Sequence, residues 1–322
     1  MLNKLRIHPN SIEFTSNHFK NRDGLSIHYR GWISSKGPWT SGTDETLKGS
    51  LDKLNIIVFC HGMVSHSRPY ILLADEFFNT SGSENIIFFA IDYRGHGLSE
   101  GQRGYFESLD FLMNDVEDLI LFLSKNYPNA EFSLWGESMG GLIALSYLIE
   151  KYSENSSYKI NSSLLWSPAI KPYPKVSIKD IFRAIYWLFV YIFKRDACIV
   201  PAESGTTFKN KDFDWLDTID PLKVSKFSPG YLLVINSAMN RVQKKKYWEM
   251  LSVPTCFLVG TKDIVVSMKE TKKFYSKLIS KTPESPHILI EIEGAWHNLY
   301  YDDDMKSEHW NKIMGWLTKK TK

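Results

Sequence analysis

A doubly wound α/β sheet, mostly parallel and interrupted by an inserted helical cap, is the architecture predicted by three features of this sequence. Apolar runs of four to eight residues, rich in Ile, Val and Phe, alternate with stretches of helical periodicity, the pattern of strands buried on both faces between crossover helices. A serine caught among glycines, in LWGESMGGLIAL (Leu134 to Leu145), stands where one such run must reverse into the helix that follows. The alternation then lapses for about 85 residues between Pro168 and Val253, a length that marks an insertion rather than a loop.

The elements follow in order. Ser11 to Phe19 and Ser26 to Trp32 alternate apolar and polar residues around a turn at Asp23 and Gly24, which predicts an antiparallel hairpin on the sheet's edge. Strands are predicted at Leu54 to Cys60, Asn85 to Ile91, Glu131 to Trp135, Ser163 to Trp166, Thr255 to Val259 and His287 to Ile292. Helices are predicted at Pro69 to Asn79, Leu109 to Lys125, Leu142 to Tyr152, Lys269 to Leu278 and His309 to Leu317. Residues 1–168 then form the first part of the core, 169–252 the cap and 253–322 the second part of the core.

Composition narrows the function classes. With 43% hydrophobic and 14% aromatic residues the chain can bury a substantial core, and a net charge of +3 is too balanced for a nucleic-acid binder. Cys60, Cys198 and Cys256 offer neither a disulfide framework nor paired zinc ligands. The first residues lack the apolar core of a secretory signal, and the longest apolar run, Ala184 to Phe193, is shorter than the roughly 20 residues a bilayer span needs. A cytoplasmic protein within reach of a membrane surface is the expectation.

Within the insertion, Ile178, Ile181, Phe182, Ile185, Phe189 and Ile192 recur at helical spacing, and Trp187, Val190 and Tyr191 make the opposite face nearly as apolar. Lys171 to Lys246 carries 14 basic against 7 acidic residues, leaving a net −4 on the rest of the chain. Two readings stand: a lid docking on an anionic lipid surface, or a cap with a solvated charged face. The alternative of a dimer interface leaves the oligomeric state open.

Gly136 to Gly140 form G-x-S-x-G in the order strand, tight turn, helix. Such a turn holds the Ser138 hydroxyl at the carboxyl edge of the sheet with a helix N-terminus behind it. A serine hydroxyl attacks only when a base takes its proton and an acid orients that base, and in this fold the chain order is Ser, acid, His. Of the three histidines after Ser138, His297 follows the strand ILIEI and reaches the same edge. His287 opens that strand at its far end, and His309 lies in the last helix. Asp263 likewise follows the strand TCFLV, whereas Asp302 to Asp304 read as helix-starting charge. An oxyanion needs backbone donors: Met139, after the nucleophile, and Met63, freed by Gly62 in the loop after LNIIVFC. His61 is read as a structural loop hydrogen bond. Gly95 and Gly97 lack the third glycine of a dinucleotide fingerprint.

Taken together, CHGMVSHSRPY (Cys60 to Tyr70), DYRGHGLSEGQRG (Asp92 to Gly104), GESMGG (Gly136 to Gly141), the strand–GTKD segment ending at Asp263 and GAWH ending at His297 resemble the serine α/β-hydrolases of the monoacylglycerol lipase and lysophospholipase group. The resemblance covers about residues 25–170 and 253–320. It implies Ser138 as nucleophile, Asp263 as acid, His297 as base, Met63 and Met139 as oxyanion amides, and a cap between the sixth and seventh strands. The expected reaction is hydrolysis of a single-chain lipid ester, a monoacylglycerol or a lysophospholipid, through an acyl-enzyme, with Phe182, Ile185 and Phe189 as candidates for the acyl chain. No metal or organic cofactor is called for. An esterase or peptidase for small soluble substrates, an acyltransferase, and a lipid-binding member without catalysis are the alternatives.

Overall fold

The computed structural model describes residues 9–38, 54–173, 186, 190–202, 208–281, 286–300 and 304–320. Phe182, Ile185 and Phe189 lie outside the described residues, as do Asp302 and Asp303 and most of the apolar helix predicted around them.

Eight strands form one sheet: β1 (Ser11–Lys20), β2 (Ser26–Ser34), β3 (Leu54–Cys60), β4 (Ile86–Ile91), β5 (Ala130–Glu137), β6 (Lys159–Trp166), β9 (Thr255–Gly260) and β10 (Ile288–Ile292). Their spatial order is β1-β2-β4-β3-β5-β6-β9-β10. The first two are the predicted antiparallel hairpin, and β2 pairs antiparallel with β4. All later pairings are parallel. The predicted β6 falls furthest short, since its first half, KINSS, is too polar to read as a buried strand.

Alternate side chains of the strands feed two cores, as the period of two requires. From β3, Ile56, Val58 and Cys60 join the core under α2 (Leu109–Asn126), α3 (Met139–Glu150) and α7 (Met268–Lys281). Ile57 and Phe59 join the other, under α1 (Ile71–Phe78) and α8 (Ser307–Lys320). The second core is built largely of rings: Trp32, Phe59, Phe77, Phe88, Trp135 and Trp166 are all buried. The predicted start of α1 at Pro69 is a 3-10 turn, Arg68–Tyr70, which leads into the helix.

From β3 the chain crosses to β4 on one side and then returns past β3 to β5 on the other. This reversal puts a crevice outside the carboxyl ends of β3 and β5, the place where doubly wound sheets bind ligands.

Among the described residues, the connection between the neighbouring strands β6 and β9 holds a short antiparallel pair, β7 (Val200–Pro201) with β8 (Lys226–Phe227), and the helices α4 (Lys211–Ile219), α5 (Pro229–Val242) and α6 (Lys245–Trp248). The sequence showed no strands here, because two-residue strands carry no periodicity. α5 packs on α3 and α2, burying Tyr231, Ile235, Ala238 and Val242 in the first core. Among the described residues no helix is long and apolar enough to cross a membrane.

Gly140, at the start of α3, is where backbones meet most closely: a β-carbon there would lie 2.0 Å from the Cys60 carbonyl oxygen and 2.5 Å from that of His61. Both neighbours are main chain and cannot rotate away. Gly140→Ala is expected to destabilise the fold by about 1–3 kcal/mol or more, measured as the loss of free energy in urea unfolding.

Candidate active site

Ser138 caps α3 with φ +53° and ψ −116°, one of two non-glycine residues with positive φ among those described. Such a conformation costs of order 1–3 kcal/mol and persists only where its surroundings enforce it. Here the Ser138 N–H donates to the Trp166 carbonyl (2.9 Å), and the Ser138 carbonyl accepts from Leu142 (3.1 Å) and Ala169 (2.9 Å). The flanking Gly136 and Gly140 let β5, α3 and the end of β3 close on this turn.

The structure brings Asp263 and His297 together. Asp263 Oδ2 is 2.8 Å from His297 Nδ1, and Asp263 Oδ1 accepts from the Val265 (2.8 Å) and Val266 (3.0 Å) amides. With Nδ1 donating to the carboxylate, Nε2 is left as the proton acceptor. Both residues follow strands whose ends adjoin, since Lys262 N–H donates to the Ala295 carbonyl (3.0 Å). His297 and Ser138 line one cavity of about 700 Å³, and Asp263 stands behind the histidine.

The electrostatics follow the geometry. Burial works to raise the Asp263 pKa, but His297 and the two amides outweigh it and hold the carboxyl below its ordinary 3.8. Burial works to lower that of His297, but Asp263 and then Glu137 outweigh it and hold the imidazole above its ordinary 6.5. Each shift adds stability within its own window. The share of Asp263 is present above 3.8 and lost as pH falls through its lower folded value. The share of His297 is present below 6.5 and lost as pH rises through its higher one.

The rival groups sit elsewhere. His287 Nδ1 accepts from Thr255 N–H (3.0 Å) at the amino end of β9, and His309 Nδ1 accepts from Lys306 N–H (3.0 Å) at the start of α8. Asp304 pairs with Lys209 (2.8 Å). His61 is structural, as expected: its Nδ1 donates to the Gly62 carbonyl (2.7 Å), its Nε2 accepts from Tyr93 N–H (3.3 Å), and burial pushes its pKa down to about 3. Asp92 is likewise a loop organiser, accepting from Ser67 N–H and Leu98 N–H and facing His28 Nδ1 at 2.8 Å.

Met139 follows Ser138 and Met63 lines the same cavity, and among the described residues neither amide donates a hydrogen bond. Sequence reasoning missed what stands behind them. Tyr231 of α5 donates to the Met63 carbonyl (2.8 Å) and lies 3.1 Å from Met139 Sδ, so one buried phenol touches both residues. His96 Nε2 lies 3.1 Å from the same carbonyl. Glu137 was also missed, although it stands inside the quoted motif between Gly136 and Ser138, because only the fold shows that this carboxyl is enclosed. Tyr70 donates to it at 2.7 Å and Tyr300 at 3.2 Å.

Elements between β6 and β9 cover the cavity. Val224 N–H donates to the Val64 carbonyl (3.0 Å), His66 Nε2 meets Asp220 at 2.9 Å, and Ser228 N–H donates to the Gly104 carbonyl (2.9 Å). These bonds fasten the segment to the loops after β3 and β4. The lining is mainly apolar, with Leu72, Val200, Phe208, Phe213, Phe227 and Leu232. Charged side chains gather in one part of it: Arg68, Asp217, Asp220 and Lys223, with Lys223 paired to Asp217.

The profile of a hydrolase family described as serine aminopeptidase, S33, matches residues 52–304. The chain belongs to this family. Human monoglyceride lipase is 25% identical over 317 residues, which span 97% of this chain and 94% of that protein. Rat monoglyceride lipase is 27% identical over 287 residues, 88% of this chain and 83% of its own. Among solved structures, a soluble variant of the Saccharomyces cerevisiae monoglyceride lipase in complex with a substrate analog superposes with a TM-score of 0.73 at 19% identity, covering 95% of each chain. A highly thermostable carboxyl esterase from Bacillus coagulans superposes with a TM-score of 0.70 at 16% identity, covering 95% of this chain and 98% of its own. These structural likenesses carry the fold. The chain is an α/β-hydrolase similar to the monoglyceride lipases, and an enzyme that hydrolyses carboxylic esters.

An NMR titration of the His297 ring is expected to give a midpoint above 6.5. Asp263→Asn removes the largest opposing charge and is expected to lower that midpoint by about one unit or more.

Proposed function

We propose that this enzyme hydrolyses the carboxylic ester of a single-chain lipid, with a monoacylglycerol as the preferred substrate. The observation that carries the reading is the oriented Asp263–His297 pair facing the strained Ser138 turn in one apolar cavity of about 700 Å³. Ser138 Oγ attacks the ester carbonyl carbon while His297 Nε2 takes its proton. The oxyanion is met by the amides of Met63 and Met139, the second at a helix N-terminus. The alcohol leaves with the proton from His297, and water repeats the sequence on the acyl-enzyme. Asp263 keeps the proton of His297 on Nδ1 and balances the imidazolium.

The size and lining of the cavity support a fatty acyl chain: Phe208, Phe213, Phe227 and Leu232 supply apolar surface where an acetyl group would leave most of it unfilled. Its charged part supports a neutral head group. Among the described residues, Arg68 and Lys223 are matched by Asp217 and Asp220, and Glu137 adds a further carboxyl, so these side chains offer no cationic surplus to receive a phosphate. Lysophospholipid is accordingly the second substrate class, not the first.

We assign residues 169–252 as the cap, with α5 as the side that rests on the core. Its apolar residues Tyr186, Ile192 and Phe193 are exposed beside Lys194 and Arg195, which supports contact of this face with an anionic lipid surface.

Ser138→Ala is expected to abolish fatty acid release from a monoacylglycerol while unfolding as the wild type does, and Asp263→Asn to lower kcat by about 10⁴-fold. Initial rates on matched esters are expected to favour long acyl chains over two to four carbons, and monoacylglycerol over lysophospholipid. Retained release by Ser138→Ala, or a preference for short chains, would contradict the assignment. Sedimentation with vesicles is expected to retain the enzyme more on anionic than on zwitterionic lipid, and more at low than at high salt.

A further inference from the structure

Glu137 is the last residue of β5 and immediately precedes Ser138. Its carboxyl is enclosed, yet it is tied to two other loops. Gly62 N–H donates to the Tyr70 hydroxyl (3.1 Å), the Tyr70 hydroxyl donates to Glu137 Oε2 (2.7 Å), and the Tyr300 hydroxyl donates to the same oxygen (3.2 Å). The chain therefore runs from the loop after β3, which carries Met63, through the serine turn, to the loop that carries His297. Gly62 N–H is consumed by it, which leaves the next amide, Met63, to face the reacting carbonyl. Glu137 Oε1 is buried and has no hydrogen-bond partner among the described residues. Burial pushes the Glu137 carboxyl up, and the Tyr70 and Tyr300 hydroxyls together with His297 act against that shift, so the two donors favour the charged form inside the cavity that His297 also lines.

We propose that Glu137 is a positioning residue of this site, a second carboxylate that stabilises positive charge on His297 as the ring takes the Ser138 proton, while Tyr70 and Tyr300 hold it in place. The inference rests on the reading of His297 as the base. The charged and titratable groups around the ring are Asp263 from the loop after β9 and Glu137 from β5. Around Glu137 stand Tyr70, Tyr300, His297 and Asp263. Arg68, Asp217, Asp220 and Lys223 lie farther out in the same cavity. Glu137 itself neither gains nor loses a proton in the step: the Ser138 O–H bond breaks, the His297 Nε2–H bond forms, and Oγ bonds to the carbonyl carbon. Its charge opposes the burial that disfavours the imidazolium, so it acts in the same direction as Asp263.

The test is the pH dependence of kcat/KM, together with the rate of Ser138 labelling by a fluorophosphonate probe, for the wild type and Glu137→Gln. The variant keeps the shape and an acceptor oxygen but loses the charge. The acid limb of both profiles is expected to move to lower pH by about half a unit or more, with a lower plateau. A limb at the wild-type position in a Glu137→Gln enzyme that still turns over would overturn the proposal, because a purely structural tie can lower the plateau but cannot move the limb. Should that variant not fold, Tyr300→Phe removes one donor to the carboxylate and is expected to move the limb in the same direction by less; an unmoved limb there overturns the proposal equally. Failure of the underlying reading looks different: hydrolysis by Ser138→Ala, or a wild-type profile without an acid limb, would remove Ser138 and His297 from the mechanism and this inference with them.

Discussion

The turn at Ser138 holds a side-chain-bearing residue at φ +53° because three backbones close on it from different directions. The end of β3 presents its Cys60 and His61 carbonyls to Gly140, the end of β6 takes the Ser138 amide, and Ala169 binds the Ser138 carbonyl. No single contact enforces the strain. Strands β3, β5 and β6 are neighbours in the sheet, so their carboxyl ends converge by register alone, and the two large cores on either face keep that register from slipping. The chemistry of the site is thus a by-product of parallel pairing: every strand that contributes a group delivers it at the same edge.

Convergence at one edge also concentrates charge. Glu137, Asp263 and His297 are enclosed; at Asp263 and His297 the partner outweighs burial, whereas at Glu137 burial still pushes the carboxyl up against its tyrosine donors. Asp263 and His297 answer one another directly. Glu137 relies on two tyrosines, and those tyrosines stand on the loops that frame the serine. The polar interior of the site holds two hydrogen-bonded sets, Asp263 with His297 and Glu137 with Tyr70 and Tyr300, whose members come from β5 and from the loops after β3, β9 and β10. Displacing any loop would leave a carboxylate unsatisfied, which makes the geometry cooperative.

The segment between β6 and β9 is held by the same loops. Tyr231 from α5 reaches the Met63 carbonyl, Val224 pairs with Val64, and Asp220 meets His66. Covering the cavity and setting the oxyanion loop are therefore coupled: the residues that shape the substrate space also support the backbone expected to meet the transition state. α5 is shared between the two tasks, since the face that carries Tyr231 is also the one buried in the main core with α2 and α3.

The sequence by itself determined the alternation of strands and helices, the edge hairpin, and the candidate serine, acid and histidine. These are local signals: a buried strand is a short apolar run, a helix has its own period, and a strand-to-helix serine turn needs glycines within two residues. Asp263 and His297 were legible because each follows a recognisable strand, so position along the chain translates into position at the sheet's edge. What only the tertiary structure decided is everything that depends on residues distant in the chain sharing a few ångströms. The pairing of Glu137 with Tyr70 and Tyr300 spans 67 and 163 residues, and that of Tyr231 with Met63 spans 168. The paired charges of the cavity, likewise, belong to elements whose local sequence reads as ordinary loop and helix. A carboxylate or a phenol looks the same in sequence whether it is solvated or enclosed; its partners and its charge state are set by what the fold packs around it.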